Sequence, residues 1–252
     1  MKFFLAPMQG LTGYTVRNAF HHHFDYIDKY YTPFIPAAKR MNAKIKRDID
    51  PVNNDGITLI PQAMSIVADE VIDLHRQLVP YGYDEINVNL GCPSGTVVSK
   101  KRGSGILAYP DMLDSFLDEL YTKADFPVSI KTRVGFNDDE LWPKLIEIYS
   151  KYPISELTVH PRVQKDFYKN TPRMDDFALA VQKINPDKTI LCYNGDITDA
   201  NSFKALTDRF PDIDEIMIGR GLFANPALIA ELNGISMDKA ELRERLKNWH
   251  DE

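Results

Sequence analysis

Short runs of β-branched and aromatic residues recur along this chain, and between them apolar positions fall three and four apart. The runs occupy residues 3–6, 26–31, 58–60, 85–89, 128–130, 157–159, 189–192 and 215–218. Most are closed by Gly, Pro, Asn or Asp, as expected of short buried strands. Of the intervening stretches, 68–78 sets Val71, Ile72, Leu74, His75 and Leu78 along one side of a helix. The stretch 111–121 does so with Met112, Leu113, Phe116, Leu117 and Leu120, and 140–149 with Leu141, Leu145, Ile146 and Ile148. Thr198-Asp199-Ala200-Asn201 opens another helix with a good capping residue. Strands that alternate with helices pair in parallel, because each crossover needs an element to carry the chain back. Eight such strands in 252 residues predict a (βα)8 barrel. The pattern is weakest in 26–31, and 32–54 is a long connection without a clear period. No internal repeat, low-complexity tract or Gly/Ser linker divides the chain. The barrel is expected over 1–234 and one C-terminal amphipathic helix over 235–252, with Leu242, Leu246 and Trp249 apolar.

The residues just past each strand point to chemistry. The first run leads into Pro7-Met8-Gln9-Gly10, the second into Thr32-Pro33 and the third into Pro61-Gln62. The fourth ends in Asn89-Leu90-Gly91-Cys92-Pro93, the fifth in Lys131-Thr132-Arg133 and the sixth in His160-Pro161-Arg162. The last two end in Asn194-Gly195-Asp196 and Gly219-Arg220-Gly221. Any one tail is an ordinary turn. Together they place titratable and amide side chains at the end of the barrel where active sites form, and phosphate commonly sits on the last two loops. Glycine there lets backbone approach an anion, and amides at a following helix start point toward it. Gly103-Ser104-Gly105 follows no strand in the manner of a dinucleotide fingerprint, which disfavours a Rossmann domain.

Composition narrows the picture: 44% hydrophobic and 26% charged residues suit a globular protein. No apolar run reaches the roughly 20 residues of a membrane span, and Pro7 breaks the N-terminal run too early for a secretory signal. Cys92 and Cys192, the two cysteines, lack metal-ligand spacing and read as free thiols of a cytoplasmic protein. Neither metal nor membrane is expected, and the chain is expected to be a monomer. The net charge of −6 does not favour a nucleic-acid partner. Even so, Lys39, Arg40, Lys44, Lys46 and Arg47 cluster, as do Lys100, Lys101 and Arg102. Solvated surface is the simplest reading of each cluster. His21-His22-His23 lies in a helical-looking segment and reads as native and partly exposed.

Leu5-Ala6-Pro7-Met8-Gln9-Gly10-Leu11-Thr12 resembles the opening motif of the tRNA-dihydrouridine synthases. Ile86-Asn87-Val88-Asn89-Leu90-Gly91-Cys92-Pro93 resembles their catalytic cysteine motif. The tails around Lys131, His160, Asn194 and Gly219 are similar in the same order, so the likeness runs from about 3 to 226. It departs at Tyr193, where the family commonly has a small residue, at Pro161, where glycine is frequent, and over 163–168. The resemblance implies an FMN at the barrel mouth, with NADPH or NADH as reductant and tRNA as substrate. Pro7, Met8 and Gln9 would line its ring, Gln62 would bond its polar edge, and Lys131 would sit at its pyrimidine side. His160 would lie beside it, and Asn194, Gly195, Asp196, Gly219 and Arg220 would hold the phosphate end. Members usually carry a helical domain that grips tRNA. On this resemblance 235–252 is expected to be its truncated start, or the end of a minimal member.

Dihydrouridine formation needs a hydride and a proton, and a thiol of ordinary pKa about 8.5 keeps its proton near neutrality. On this resemblance Cys92 is the proton donor and Cys192, inside a strand, the core cysteine. By position alone Cys92 reads equally as a small buried hydrophobe. His160 is either a flavin contact or a structural histidine. Arg162 steers RNA or pairs with Asp166, and Asn89 orients the base or closes a turn. Lys100 and Arg102 would meet phosphates. Three rival readings remain open: an FMN barrel acting on a free pyrimidine or other small unsaturated substrate, a phosphate-binding lyase or isomerase using Lys131 as a Schiff base, and a flavin-free RNA-binding module.

Overall fold

The computed structural model describes residues 1–37 and 40–251, so Lys39 lies outside the described residues. Its strands are β1 (Lys2–Leu5), β2 (Lys29–Tyr31), β3 (Ile35–Pro36), β4 (Leu59–Ile60) and β5 (Gln62–Met64), then β6 (Ile86–Leu90), β7 (Val128–Gly135), β8 (Glu156–Val163), β9 (Ile190–Asn194) and β10 (Glu215–Ile218). All pairings are parallel, in the order β3-β5-β6-β7-β8-β9-β10-β1-β2-β4. β4 and β5 are two pieces of one stave, interrupted at Pro61, which has no N–H to give to a ladder. β4 pairs with β2 and β5 with β6, and the Pro61 carbonyl accepts from Asn87 N at 2.9 Å. The sheet therefore closes on itself as a (βα)8 barrel.

Each predicted run contains a strand. The second shrinks to Lys29–Tyr31, and the third continues through Pro61 into Gln62. The fifth and sixth run several residues further than their apolar cores, so Lys131, Arg133, His160 and Arg162 lie within β7 and β8. Ladder bonds to neighbouring strands sustain an extended chain after its apolar residues end.

The helices are α1 (Tyr14–His23), α2 (Ala43–Ile49), α3 (Ala68–Leu78), α4 (Gly95–Val98), α5 (Pro110–Lys123), α6 (Trp142–Tyr149), α7 (Met174–Lys183) and α8 (Ala200–Arg209), then α9 (Arg220–Ala224), α10 (Leu228–Leu232) and α11 (Lys239–Asp251). Strand residues alternate between two faces. Ile86, Val88, Leu90, Ile130, Leu157 and Val159 belong to the large outer core under the helices. Phe4, Ala6, Tyr31, Ile60, Cys192 and Met217 form a separate inner cluster. Below them, Lys29 bonds Glu156 at 2.7 Å, as does the Tyr31 hydroxyl, and Lys2 pairs with Glu215 at 3.1 Å. Lys2, Lys29, Glu156 and Glu215 are each the first residue of their strand, so the barrel's lower end is filled.

The stretch 32–54 contains α2, which Asn42 caps by accepting from Ile45 N. α11 lies against α1, where Trp249 meets Phe20 edge-on at 5.3 Å and Arg245 donates to the His23 carbonyl at 3.1 Å. Among the described residues, no helix is long and apolar enough to cross a membrane.

Candidate active site

The C-terminal ends of the strands surround a cavity of about 690 Å³. Pro7, Met8 and Gln9 reach it from the β1 loop, Gln62 from β5, and Asn89 and Cys92 from the end of β6. Lys131 and His160 enter from β7 and β8. Asn194, Gly195 and Asp196 come from the end of β9, and Gly219 and Arg220 from that of β10. The residues assigned to cofactor and catalysis from the sequence thus meet at one place. Lys100, Arg102 and Arg162 do not line it.

A chain of buried amides organises one wall. Asn89 Oδ1 accepts from the backbone of Gly91 at 3.1 Å and Cys92 at 2.9 Å. Backbone N–H groups only donate, so the orientation of this amide is fixed. Asn89 Nδ2 then donates to Gln62 Oε1 at 2.8 Å, and Gln62 Nε2 to Asn87 Oδ1 at 2.8 Å. Asn87 Nδ2 ends the series on Ser129 Oγ at 3.0 Å. Asn89 therefore both faces the cavity and closes the turn that carries Cys92.

Cys92 is half-buried. Burial raises its thiol pKa, opposed by a backbone N–H of Ser94 and by Arg133 and Lys131, so it stays protonated near neutrality. Its carbonyl accepts from Ser104 N at 3.1 Å and Ser104 Oγ at 2.9 Å. Gly103, at φ +54°, packs so closely that a Cβ would come within 2.7 Å of the Cys92 carbonyl oxygen. Gly103-Ser104-Gly105 is thus the buttress of the cysteine loop, a role its sequence spacing did not announce. Cys192 is fully buried in the inner cluster.

The electrostatics are dominated by cations. Lys131 falls to about 7 through burial first and the neighbouring Arg133 second. Among the described residues it has no ion-pair partner. Arg133, itself lowered to about 10 by burial, donates to the carbonyls of Gly91, Val163 and Phe167 at 3.0, 2.9 and 2.7 Å. Burial and the surrounding Arg133, Lys131, Arg162 and Arg220 hold His160 well below its ordinary value, hence neutral.

Arg162 takes neither role offered by the sequence. Strand alternation turns it inward, where it is 1% exposed, and it pairs with Asp196 instead of Asp166. Asp166 is held by Arg173 and Asn170. Asp196 also accepts from Arg220 at 2.7 Å. Arg102 pairs with Glu70 at 3.2 Å, whereas Lys100 is exposed. Tyr193 has turned its ring over Gly195, so a Cβ there would collide with the Tyr193 hydroxyl. Phe34, Phe167 and Tyr168 were not foreseen at the cavity. Tyr168 lies 4.9 Å from the Arg220 guanidinium and 5.6 Å from that of Arg133. The aromatic pair in the sequence was its only signal.

A family model described as dihydrouridine synthase (Dus) matches residues 4–250. The chain belongs to the dihydrouridine synthase family. A probable tRNA-dihydrouridine synthase of Staphylococcus aureus is 33% identical over 60% of this chain and 46% of its own length. Against that relative the chain spans about half the length. The tRNA-dihydrouridine synthase B of Pasteurella multocida is 27% identical over 93% of this chain and 69% of that protein. Among solved structures, a morphinone reductase superposes with a TM-score of 0.62 at 12% identity, covering 96% of this chain and 88% of that one. That likeness concerns the fold.

Proposed function

We propose that this member of the dihydrouridine synthase family reduces a uridine base in tRNA, using FMN and a nicotinamide reductant. The observation that carries this reading is one cavity holding a protonated thiol, Cys92, and a lysine, Lys131, that has no ion-pair partner among the described residues and is free to take up a proton beside a developing negative charge. A proton donor and a stabiliser of negative charge are what reduction of an unsaturated base requires.

The residues present fit a flavin mononucleotide. The cavity is within the size range of cofactor sites. Pro7 and Met8 offer an apolar wall for a flat ring, and Gln62 and Lys131 offer polar contacts at one side. Gly219 keeps backbone open beside Arg220, whose guanidinium suits a phosphate, while Gly195 makes room for the Tyr193 ring. When bound, the flavin supplies the hydride for the 5,6 double bond of uracil. Cys92 delivers the proton to carbon 5. Asn89 sets the height of the Cys92 loop by holding its two amides. A base stacked in folded RNA cannot reach this depth, so the uridine is turned out of its stack.

RNA is favoured over a free pyrimidine by Lys100, Lys165 and Lys169. They are exposed on the loops that follow β6 and β8 and have no ion pair among the described residues. The decisive experiment releases the cofactor by heat and separates it by chromatography, then follows oxidation of the reduced protein with and without tRNA. Released FMN and tRNA-dependent oxidation are expected. Colourless protein that also refuses added FMN would sink the reading, and oxidation by free uracil alone would favour the small-substrate alternative.

A further inference from the structure

We propose that Arg162 is a positioning residue that holds His160 in its Nδ1–H tautomer, making the ring a hydrogen-bond donor toward the cavity. A guanidinium has five N–H donors and no acceptor. Arg162 Nη1 lies 3.1 Å from His160 Nε2, so this ring nitrogen accepts. A neutral imidazole carries one hydrogen, which then sits on Nδ1. The ring is kept neutral by burial and by the cations Arg133, Lys131, Arg162 and Arg220. Nδ1 has no protein partner among the described residues, and His160 lines the cavity.

The remaining donors of Arg162 immobilise it. Nη1 and Nη2 grip the two carboxylate oxygens of Asp196. Nε donates to the carbonyls of Lys169 and Asn170 at 3.0 and 3.1 Å, and Nη2 to that of Asn170 at 2.6 Å. One planar group thus ties β8, the end of β9 and the loop before α7 to the orientation of a single imidazole. A lysine in its place keeps the charge but lacks the fork that makes these bonds together. The cavity then meets a donor at His160, which suits a carbonyl oxygen or an unprotonated ring nitrogen of a ligand. The inference concerns the protein alone and does not depend on the flavin reading.

The test uses the full chain labelled with 15N in histidine and arginine, read by long-range proton–nitrogen correlation. His160 signals are those lost in His160→Gln. The expected result at neutral pH is a protonated Nδ1 and an unprotonated Nε2. That form should exceed its alternative by at least about tenfold, as a hydrogen bond to a charged donor implies. A nitrogen–nitrogen coupling across the Arg162–His160 bond should be visible in the same sample. In Arg162→Lys the coupling should vanish and the two tautomers become comparable. A parental protein with Nε2–H dominant, or without the coupling, overturns the proposal whether or not the variant folds. A folded Arg162→Lys that keeps the parental tautomer ratio overturns it as well.

Discussion

Two cysteines of the same ordinary chemistry are separated here by where their strands place them. Cys92 opens onto the cavity with its thiol held protonated, while Cys192 is sealed between Phe4, Tyr31 and Met217. Cys92→Ala should retain cofactor and accept electrons from a nicotinamide donor, yet form dihydrouridine about 10²–10⁴-fold more slowly, the usual worth of a positioned acid. Cys192→Ala should keep turnover and lose about 1 kcal/mol of stability, a typical core truncation of this size. Single-turnover assays with tRNA and thermal melts separate the two, and equal losses of turnover would remove Cys92 from its role. Lys131 makes a second claim at this scale. With its pKa near 7, it is largely neutral at pH 8 in the free protein. An anion bound beside it favours the ammonium, so binding at pH 8 should take up a proton, and more than at pH 6. Anaerobic titration calorimetry of reduced FMN, whose ring is anionic, in buffers of different ionisation enthalpy measures this uptake, and oxidised FMN with its neutral ring should show less. The same lowering makes the folded state bind fewer protons than the unfolded one between about pH 7 and the ordinary lysine value near 10.4. Stability should therefore rise with pH across that window, and the cost of burying the ammonium is fully present below it.

At the scale of elements, the site depends on loops whose backbones leave no room for a side chain. Gly103→Ala puts a methyl against the Cys92 carbonyl at a left-handed φ. It should destabilise by about 1–2 kcal/mol and slow turnover more than it weakens cofactor binding, because the distortion falls on the Cys92 loop. Chemical denaturation and a cofactor titration of the same variant check both halves. Gly195→Ala drives a methyl into Tyr193 and should instead weaken cofactor binding, since Gly195 borders the opposite end of the cavity. The sequence made the strands and their polar tails legible, because a parallel strand buried on both faces writes an apolar run and the tail is what remains. It did not reveal that β7 and β8 continue through those tails, since ladder bonds carry no side-chain signature. For that reason Arg162 read as a loop residue that would either meet RNA or pair with Asp166, when alternation within β8 buries it against Asp196. The buttress at Gly103 was hidden for a related reason: close packing of glycine against a distant carbonyl has no periodicity. His160, Asn194 and Gly219 were legible as cavity residues because barrel geometry sends every strand end to one place.

The whole molecule carries a net charge of −6, yet Asp196, the one carboxylate lining the cavity among the described residues, is paired with Arg162 and Arg220. Many carboxylates elsewhere are spent on ion pairs, such as Asp111 with Lys144, Asp114 with Lys151 and Asp208 with Lys204. α2 adds Lys44, Lys46 and Arg47, all exposed, beside the first turn of α1, where Asp48 accepts from Tyr14 N. This turn follows the β1 loop that lines the cavity, so α2 and its cations stand next to that loop. A polyanion approaching the mouth meets these cations before it feels the net charge, because at physiological salt a charge acts over only about 8 Å. Replacing Lys100, Lys165 and Lys169 together by alanine should therefore weaken tRNA binding and flatten its salt dependence. Each phosphate contact contributes roughly 0.7–0.9 to the slope of log affinity against log salt, so three lost contacts should lower the slope by about 2. FMN content and reduction by a nicotinamide donor should match the parent, since none of the three lines the cavity. Binding isotherms over a salt series, on the parent and the triple variant, make the comparison. The prediction fails if affinity and slope are the same in both, and tRNA would then have to be held by α2 or by surfaces away from the mouth.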